Sequence, residues 1–230
     1  MATSIEMLQT VAEALGPLKD EVVFVGGTIP ALLITDPAAP PLRATKDVDL
    51  IIDTRRQGQF ADFEARLRDR GFQIKAPPIC RYGIGDILVD VMTTSNVQGF
   101  SDRWYPEAFS TAENTTLENG KVIRTITAPL FLATKLNAWK DRGKQDYLAP
   151  DIEDILAVID GRSALLDEIR QSSPAIQKSL SATFSELMAN DNFREVIPAH
   201  LGSDSIAHKR AELVASVIEQ IINSIAWIRT

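Results

Sequence analysis

Cysteine and histidine are almost missing from this chain of 230 residues. One cysteine, Cys80, cannot form an internal disulfide, and two histidines, His200 and His208, leave too few ligands for a zinc site. Any bound metal is therefore expected on oxygen. Long hydrophobic runs are missing too: no segment approaches the roughly 20 apolar residues that a bilayer-crossing helix needs, so no membrane span is expected. Positive charge is in deficit. With 24 Lys and Arg against 31 Asp and Glu, the net charge of -7 argues against strong duplex DNA binding, which takes a surplus of cations to displace counterions from phosphates. A local basic cluster of Lys135, Lys140, Arg142 and Lys144 remains, for which a solvated helix end is the simpler account. There are no internal repeats and no low-complexity tracts. The opening MATSIEMLQTVAEAL carries Glu6 and Glu13 and lacks a basic region and a small-residue cleavage site. It reads as an amphipathic helix rather than a signal peptide, which makes the cytoplasm the expected location.

What is present is the composition of a packed protein. A 45% hydrophobic and 24% charged chain of this length can form one large domain or a catalytic domain with a helical extension. Thr3 and Glu6 fit a capping box, Ile5, Leu8, Val11 and Leu15 recur at helical spacing, and Gly16-Pro17 ends the pattern. Glu21 to Val25 reads as a buried strand running into Gly26-Gly27-Thr28, with a helix start at Pro30. The proline-rich stretch from Asp36 to Thr45 is an irregular connection into a second strand, Val48 to Ile52. Phe60, Phe63 and Leu67 mark a helix ending at Gly71, with Glu64 and Arg68 spaced to pair on its wet side. Ile87, Val89 and Val91 alternate with Asp86, Leu88 and Asp90, the pattern of a strand with one buried face. Asn119-Gly120 predicts a hairpin through a type I′ turn. From Pro129 on, the pattern is helical, with Ile169, Leu180, Phe184 and Leu187 and then Leu213, Val217, Ile221 and Ile225 as inner faces. The expected division is a core over 1–128 and a helical region over 129–230, the latter a lid, scaffold or partner surface.

Three short pieces carry candidate chemistry: GGT at 26–28, RATKDVDL at 43–50 and LVDVM at 88–92. Two aspartates separated by one residue on a strand point to the same side, so Asp47 and Asp49 can share a hard cation, with Asp90 as the best third ligand. Asp86, beside Gly85, fits a solvated edge better. A glycine turn between strand and helix offers backbone N–H groups to phosphate oxygens and lets them come close. Each piece alone has a plain structural alternative: a strand edge for the acids, a simple turn for the glycines. Their order, with the turn after one strand and the acids opening the next, describes a metal–nucleotide site. Arg43 and Lys46 flank the acids and would bind triphosphate or balance charge, and Arg81 is a weaker candidate of the same kind. Lys135, Trp139 and Arg142 share a helix face, where Lys135 would reach phosphates or lie along a packed helix. Trp104 and Tyr105 would stack on a base or anchor a loop.

With these residues in place, the chain resembles the nucleotidyltransferase superfamily, whose pattern is a Gly-Gly/Ser turn, an Asp-x-Asp pair and a distal Asp. FVGG, TKDVDL, LVDVM, GFSDRWYPEA, TAPLFLATKLNAW and DYLAPDIEDILAVIDGR further resemble a bacterial nucleotidyltransferase-like group, over about residues 22 to 163. The layout is also similar to abortive-infection and toxin–antitoxin nucleotidyltransferases, in which a helical Lys and a later Asp join the acids. Lys135 matches that lysine and Asp151 or Asp154 that aspartate, while Ala149-Pro150 stands where the group has Ser-His. The resemblance implies an α+β, polymerase-beta-like core, a mixed sheet flanked by helices, with a C-terminal helical region. It implies transfer of a nucleoside monophosphate from an NTP to a hydroxyl, with Mg²⁺, or Mn²⁺, on Asp47, Asp49 and Asp90. Gly26, Gly27, Thr28, Arg43, Thr45, Lys46, Arg81 and Asp154 would serve the nucleotide, and Lys135 the charge developing on the phosphates. The acceptor would be tRNA or another RNA, a protein or a small molecule, and a cognate antitoxin is an implied partner. A phosphoester hydrolase and a catalytically silent binding module are the alternatives.

Overall fold

Thr3 and Glu6 cap each other at the start of helix α1 (Ser4–Leu15): the Thr3 N–H donates to Glu6 Oε2 at 2.7 Å and the Glu6 N–H to Thr3 Oγ1 at 3.2 Å. Such a cap is worth about 1 kcal/mol. The computed structural model describes residues 2–54, 58–75, 80–95, 101–142, 146–202 and 205–223, with the Ser205 side chain excepted. Lys144, Ile225 and the Gly99-Phe100 start of the GFSDRWYPEA block lie outside these residues. The chain divides into two units, Met1–Leu32 with Arg43–Thr127 and Leu33–Leu42 with Ala128–Thr230.

In the first unit, α1 buries Met7, Leu8, Val11, Ala12 and Leu15 and ends at Gly16, whose φ of +56° suits glycine. A 3₁₀ turn leads into β1 (Val22–Val25), four apolar residues buried throughout because the strand is central. The Gly26–Thr28 turn and the short α2 (Pro30–Leu33) follow, and the chain re-enters as β2 (Asp47–Ile52). Helix α3 (Gln59–Asp69) buries Phe60, Phe63 and Leu67. Next come β3 (Gln73–Ile74), β4 (Arg81–Ile84), β5 (Ile87–Thr93), α4 (Tyr105–Ser110), β6 (Glu113–Thr116) and β7 (Val122–Thr125). They form one seven-stranded mixed sheet in the order β3-β4-β5-β2-β1-β7-β6. Strand β2 runs antiparallel to β1 and parallel to β5, while β1 and β7 are parallel.

Two local expectations change. Asp86 is not on the strand face. It sits exposed in the Gly85-Asp86 turn of the β4–β5 hairpin, where Gly85 takes a φ of +56°. At Asn119-Gly120 the hairpin forms, but the Gly120 N–H donates to the Leu117 carbonyl, so Glu118 and Asn119 are the central residues and Gly120, φ +79°, follows them. That is a three-residue loop with a glycine bulge in place of type I′.

The second unit is helical. Helix α5 (Ala128–Asp141) is buried on most of its circumference and meets α6 (Pro150–Gly161), α7 (Leu165–Gln171) and α8 (Pro174–Met188). Helices α9 (Asp191–Leu201) and α10 (Ser205–Asn223) complete it. Ile169, Leu180, Phe184 and Leu187 are buried as expected. On α10 the inner face is Ala207, Ala211, Val214, Ile218 and Ile221, whereas Leu213 is 66% exposed. The helix carries two neighbouring apolar stripes, and the one with two alanines allows closer approach to α8 and α9, so packing selects it. The Leu33–Leu42 connection belongs to this unit because both Thr35 and Asp36 donate backbone N–H bonds to the Gly161 carbonyl, at 2.8 and 3.0 Å. Arg210 then binds Asp36 Oδ2 at 2.8 Å and both oxygens of Asp160, at 3.0 and 2.8 Å.

Candidate active site

The register of the central strands assembles the acids. Val25, the last residue of β1, pairs with Asp49 of β2, so the next residue, Gly26, arrives beside the Asp49 carboxylate. A Cβ on Gly26 would fall 1.7 Å from Asp49 Oδ2, and the φ of +76° there also favours glycine. The turn needs glycine for both reasons. On its other side Asp49 pairs in parallel register with Asp90 of β5, so the two carboxylates rise from the same face, and Asp47 two residues earlier joins them. Three like charges on one face repel unless countercharge is supplied.

Arg81 supplies it. The β4–β5 hairpin sets Arg81 opposite Asp90. The guanidinium donates from Nε to Asp90 Oδ1 at 2.8 Å and from Nη2 to Asp90 Oδ2 at 2.6 Å, and Nη2 also lies 3.5 Å from Asp47 Oδ2. The bidentate bond to Asp90, then the negative charges of Asp90 and Asp47, hold Arg81 protonated still more firmly than usual, against the opposing effect of burial. Cys80, just before it, is buried, and burial pushes its thiol pKa up, with Asp90 adding to the shift. Asp47 also accepts a 3.1 Å hydrogen bond from the Thr45 hydroxyl. Thr45 and Arg43 border Gly27: a Cβ there would come within 3.0 Å of Arg43 Nη2 and 3.1 Å of Thr45 Oγ1. Thr28 is fully buried, and among the described residues its hydroxyl has no hydrogen-bond partner. Lys46 is exposed.

The residues named from sequence thus fall into two groups. Gly26, Gly27, Thr28, Arg43, Thr45, Asp47, Asp49, Arg81 and Asp90 gather in the first unit. Lys135, Asp151 and Asp154 gather in the second, where Lys135 Nζ lies 3.2 Å from Asp151 Oδ1 and 2.8 Å from Asp154 Oδ2, and Arg142 also binds Asp151. Both aspartates therefore meet the lysine, and both are buried. Trp139, on the same helix face, donates its indole N–H to the Asp146 carbonyl and stacks on Tyr147. Trp104 is buried against Arg103, and the Tyr105 hydroxyl donates to Met92 Sδ at 3.0 Å, so this pair anchors its loop to the core.

Sequence reasoning missed how fully Arg81 is committed to Asp90. The Gly85-Asp86 turn was the available signal, because it fixes the hairpin register. It also missed the Arg210–Asp160–Asp36 cluster, whose members are too far apart in sequence to suggest each other. A cavity of about 330 Å³ lined by Glu21, Ile52, Asp53, Gln59, Asp62, Phe63, Arg66 and Phe109 lies at the opposite end of β2 from Asp47. Its lining includes none of the two groups of candidate site residues. Among the described residues, no three of His, Cys, Asp and Glu converge as a metal cluster, and Arg81 lies against both Asp47 and Asp90. Nor, among them, is any helix long and apolar enough to cross a membrane.

No protein-family model and no curated protein matches the sequence. Solved structures do. The chain is similar to an antigenic nucleotidyltransferase-like protein from Paracoccidioides brasiliensis, at 20% identity and a TM-score of 0.53, over 86% of this chain and 91% of that one. It is similar to JHP933 from Helicobacter pylori, at 12% and 0.51 over 98% and 94%, and to the antibiotic-resistance factor ANT(2'')-Ia, at 12% and 0.50 over 83% and 96%. Identities this low speak to architecture, and the mixed sheet with its flanking helices is that architecture: the chain has the α+β, polymerase-beta-like nucleotidyltransferase fold.

Proposed function

We propose that this chain is a divalent-metal-dependent nucleotidyltransferase that moves a nucleoside monophosphate from an NTP to a hydroxyl acceptor. The observation that supports this reading best is the register pairing of Asp49 with Asp90, with Asp47 on the same face and the Gly26 turn against Asp49. The name of the Paracoccidioides brasiliensis neighbour, a nucleotidyltransferase-like protein, supports the same general activity.

The donor set fits a hard cation: three carboxylates from adjacent strands, with a cation, Arg81, already drawn to them. Asp47, Asp49 and Asp90 would hold Mg²⁺ or Mn²⁺. When bound, the ion would neutralise triphosphate charge and acidify the attacking hydroxyl. The chain's own residues do the rest. Gly26 and Gly27 keep side chains out of the space beside Asp49, Arg43 and Thr45, so phosphate oxygens can approach backbone N–H groups. Arg43 supplies positive charge beside that turn, and the Thr45 hydroxyl holds Asp47 in orientation. Asp90 takes the proton of the acceptor hydroxyl as its oxygen bonds to the α-phosphorus. The bond from that phosphorus to the bridging oxygen breaks, and pyrophosphate leaves. Such catalysis is mostly positioning and electrostatics.

The acceptor classes are RNA, a protein hydroxyl and a small molecule. Incubation with each α-labelled NTP, Mg²⁺ and cell extract tests the reading, beside an Asp47→Asn/Asp49→Asn control. Label on one band with the wild type alone supports transfer and names the acceptor class. Release of phosphate or a monophosphate without labelling would make it a hydrolase. Growth arrest on expression, relieved by a neighbouring gene product, would identify a toxin with a cognate antitoxin. One observation favours a second reading, a silent nucleotide-binding or partner-binding module: both oxygens of Asp90 are engaged by Arg81. NTP binding without turnover would establish it.

A further inference from the structure

Arg81 occupies the place where a cation has to enter. Its fork uses both oxygens of Asp90, at 2.8 and 2.6 Å, and reaches Asp47 Oδ2 at 3.5 Å. A divalent ion on Asp47, Asp49 and Asp90 needs an oxygen of Asp90 and brings two positive charges to the same face. Like charges in so small a space exclude each other. The Arg81 side chain is 27% exposed, against 13% for Asp90, so it can turn toward solvent without opening the core.

We propose that Arg81 is the resident counter-cation of the acidic face, and that a divalent ion binds there only by displacing it from Asp90. The inference rests on the reading of Asp47, Asp49 and Asp90 as metal ligands. It gives Arg81 two positions: in the metal-free protein it stops the carboxylates from repelling one another, and on metal binding it is released as a guanidinium beside the nucleotide site. The predicted consequence is that metal and Arg81 compete, so removing the arginine strengthens metal binding.

Mn²⁺ alone is the probe, with no nucleotide present, titrated by paramagnetic resonance and by calorimetry. Arg81→Ala and Arg81→Gln are expected to bind Mn²⁺ about tenfold or more tighter than the wild type, the order set by loss of a competing charge-assisted bidentate bond. Equal or weaker binding by the folded variants overturns the proposal and leaves the metal site standing. Absence of Mn²⁺ binding in wild type and variants alike overturns both. A second measurement needs no variant: labelling of the wild type with phenylglyoxal, read by mass spectrometry. Mn²⁺ should raise modification at Arg81 several-fold, and unchanged or reduced modification while Mn²⁺ is bound also overturns the proposal.

Discussion

The Asp49 carboxylate occupies the space where Gly26 would carry a side chain: a Cβ built there lies 1.7 Å from Asp49 Oδ2. Gly26→Ala should therefore suffer twice, from the collision and from a φ of +76° that costs an L-residue about 1–2 kcal/mol. Gly120 has a similar φ, +79°, and among the described residues nothing lies within 4 Å of its Cβ position, so Gly120→Ala carries the backbone cost alone. Thermal melts of the two variants should separate, with Gly26→Ala the less stable and also deficient in labelling activity. Equal melting points and full activity in Gly26→Ala would show that the turn and Asp49 part easily.

Asp49→Asn keeps the shape of the site and removes one of two adjacent like charges. Turnover is expected to fall by about 10²-fold or more, the order found when a preorganised electrostatic group is lost from an active site. The melting temperature should hold or rise slightly, since Asp49 and Asp90 are register partners. Turnover near wild type, measured with the labelled NTP, would remove Asp49 from the metal set.

Lys135 answers to two buried carboxylates, with side-chain exposure of 12% for the lysine against 3% and 2% for Asp151 and Asp154. Arg142 also binds Asp151, so the lysine shares that acid with a second cation. Lys135→Met should cost about 3–5 kcal/mol in urea denaturation, the order for uncompensated buried charge. Adding Asp154→Asn should recover part of it. A Lys135→Met variant with unchanged stability and lost turnover would instead assign the lysine to the phosphates.

Burial pushes Asp160 above its ordinary value of 3.8, with Arg210 pulling the other way. A carboxyl raised in the folded state binds its proton more tightly there than in the unfolded chain. Its contribution to stability is therefore best at low pH and declines as pH rises from about 3.8 through the raised folded value. Urea midpoints of wild type and Asp160→Asn, compared across pH 3 to 7, should show the wild type losing ground over that window. A wild type that gains ground instead would mean that attraction to Arg210 outweighs burial.

The sequence made the scaffold of the site readable because local rules agree there. The capping pair Thr3–Glu6 and the unbroken apolar β1 each follow from short-range physics, as does the alternation around Asp90. Asp47 and Asp49 could be placed on one face from their spacing alone. What stayed hidden depended on choices between near-equal options or on distant pairing. Leu213 and Val214 belong to rival stripes on α10, and only contact with α8 and α9 selects the second. Arg81 looked like one basic residue among several until the hairpin register set it against Asp90. Asp36, Asp160 and Arg210 meet only in the folded helical unit.

Leu33–Leu42 leaves the chain of the first unit, docks on Gly161, Asp160 and Arg210, and returns as Arg43. Strand β1 precedes that excursion and its antiparallel partner β2 follows it. The two units are thus threaded by two strands of covalent chain near the start and a third at Thr127–Ala128, so no single cut yields both intact. A fragment ending near residue 128 would carry the 33–42 segment without the carbonyl and guanidinium that satisfy it. Folding inherits the same constraint: docking this segment requires residues more than a hundred positions downstream, a long-range closure of the kind that slows the search for the native state.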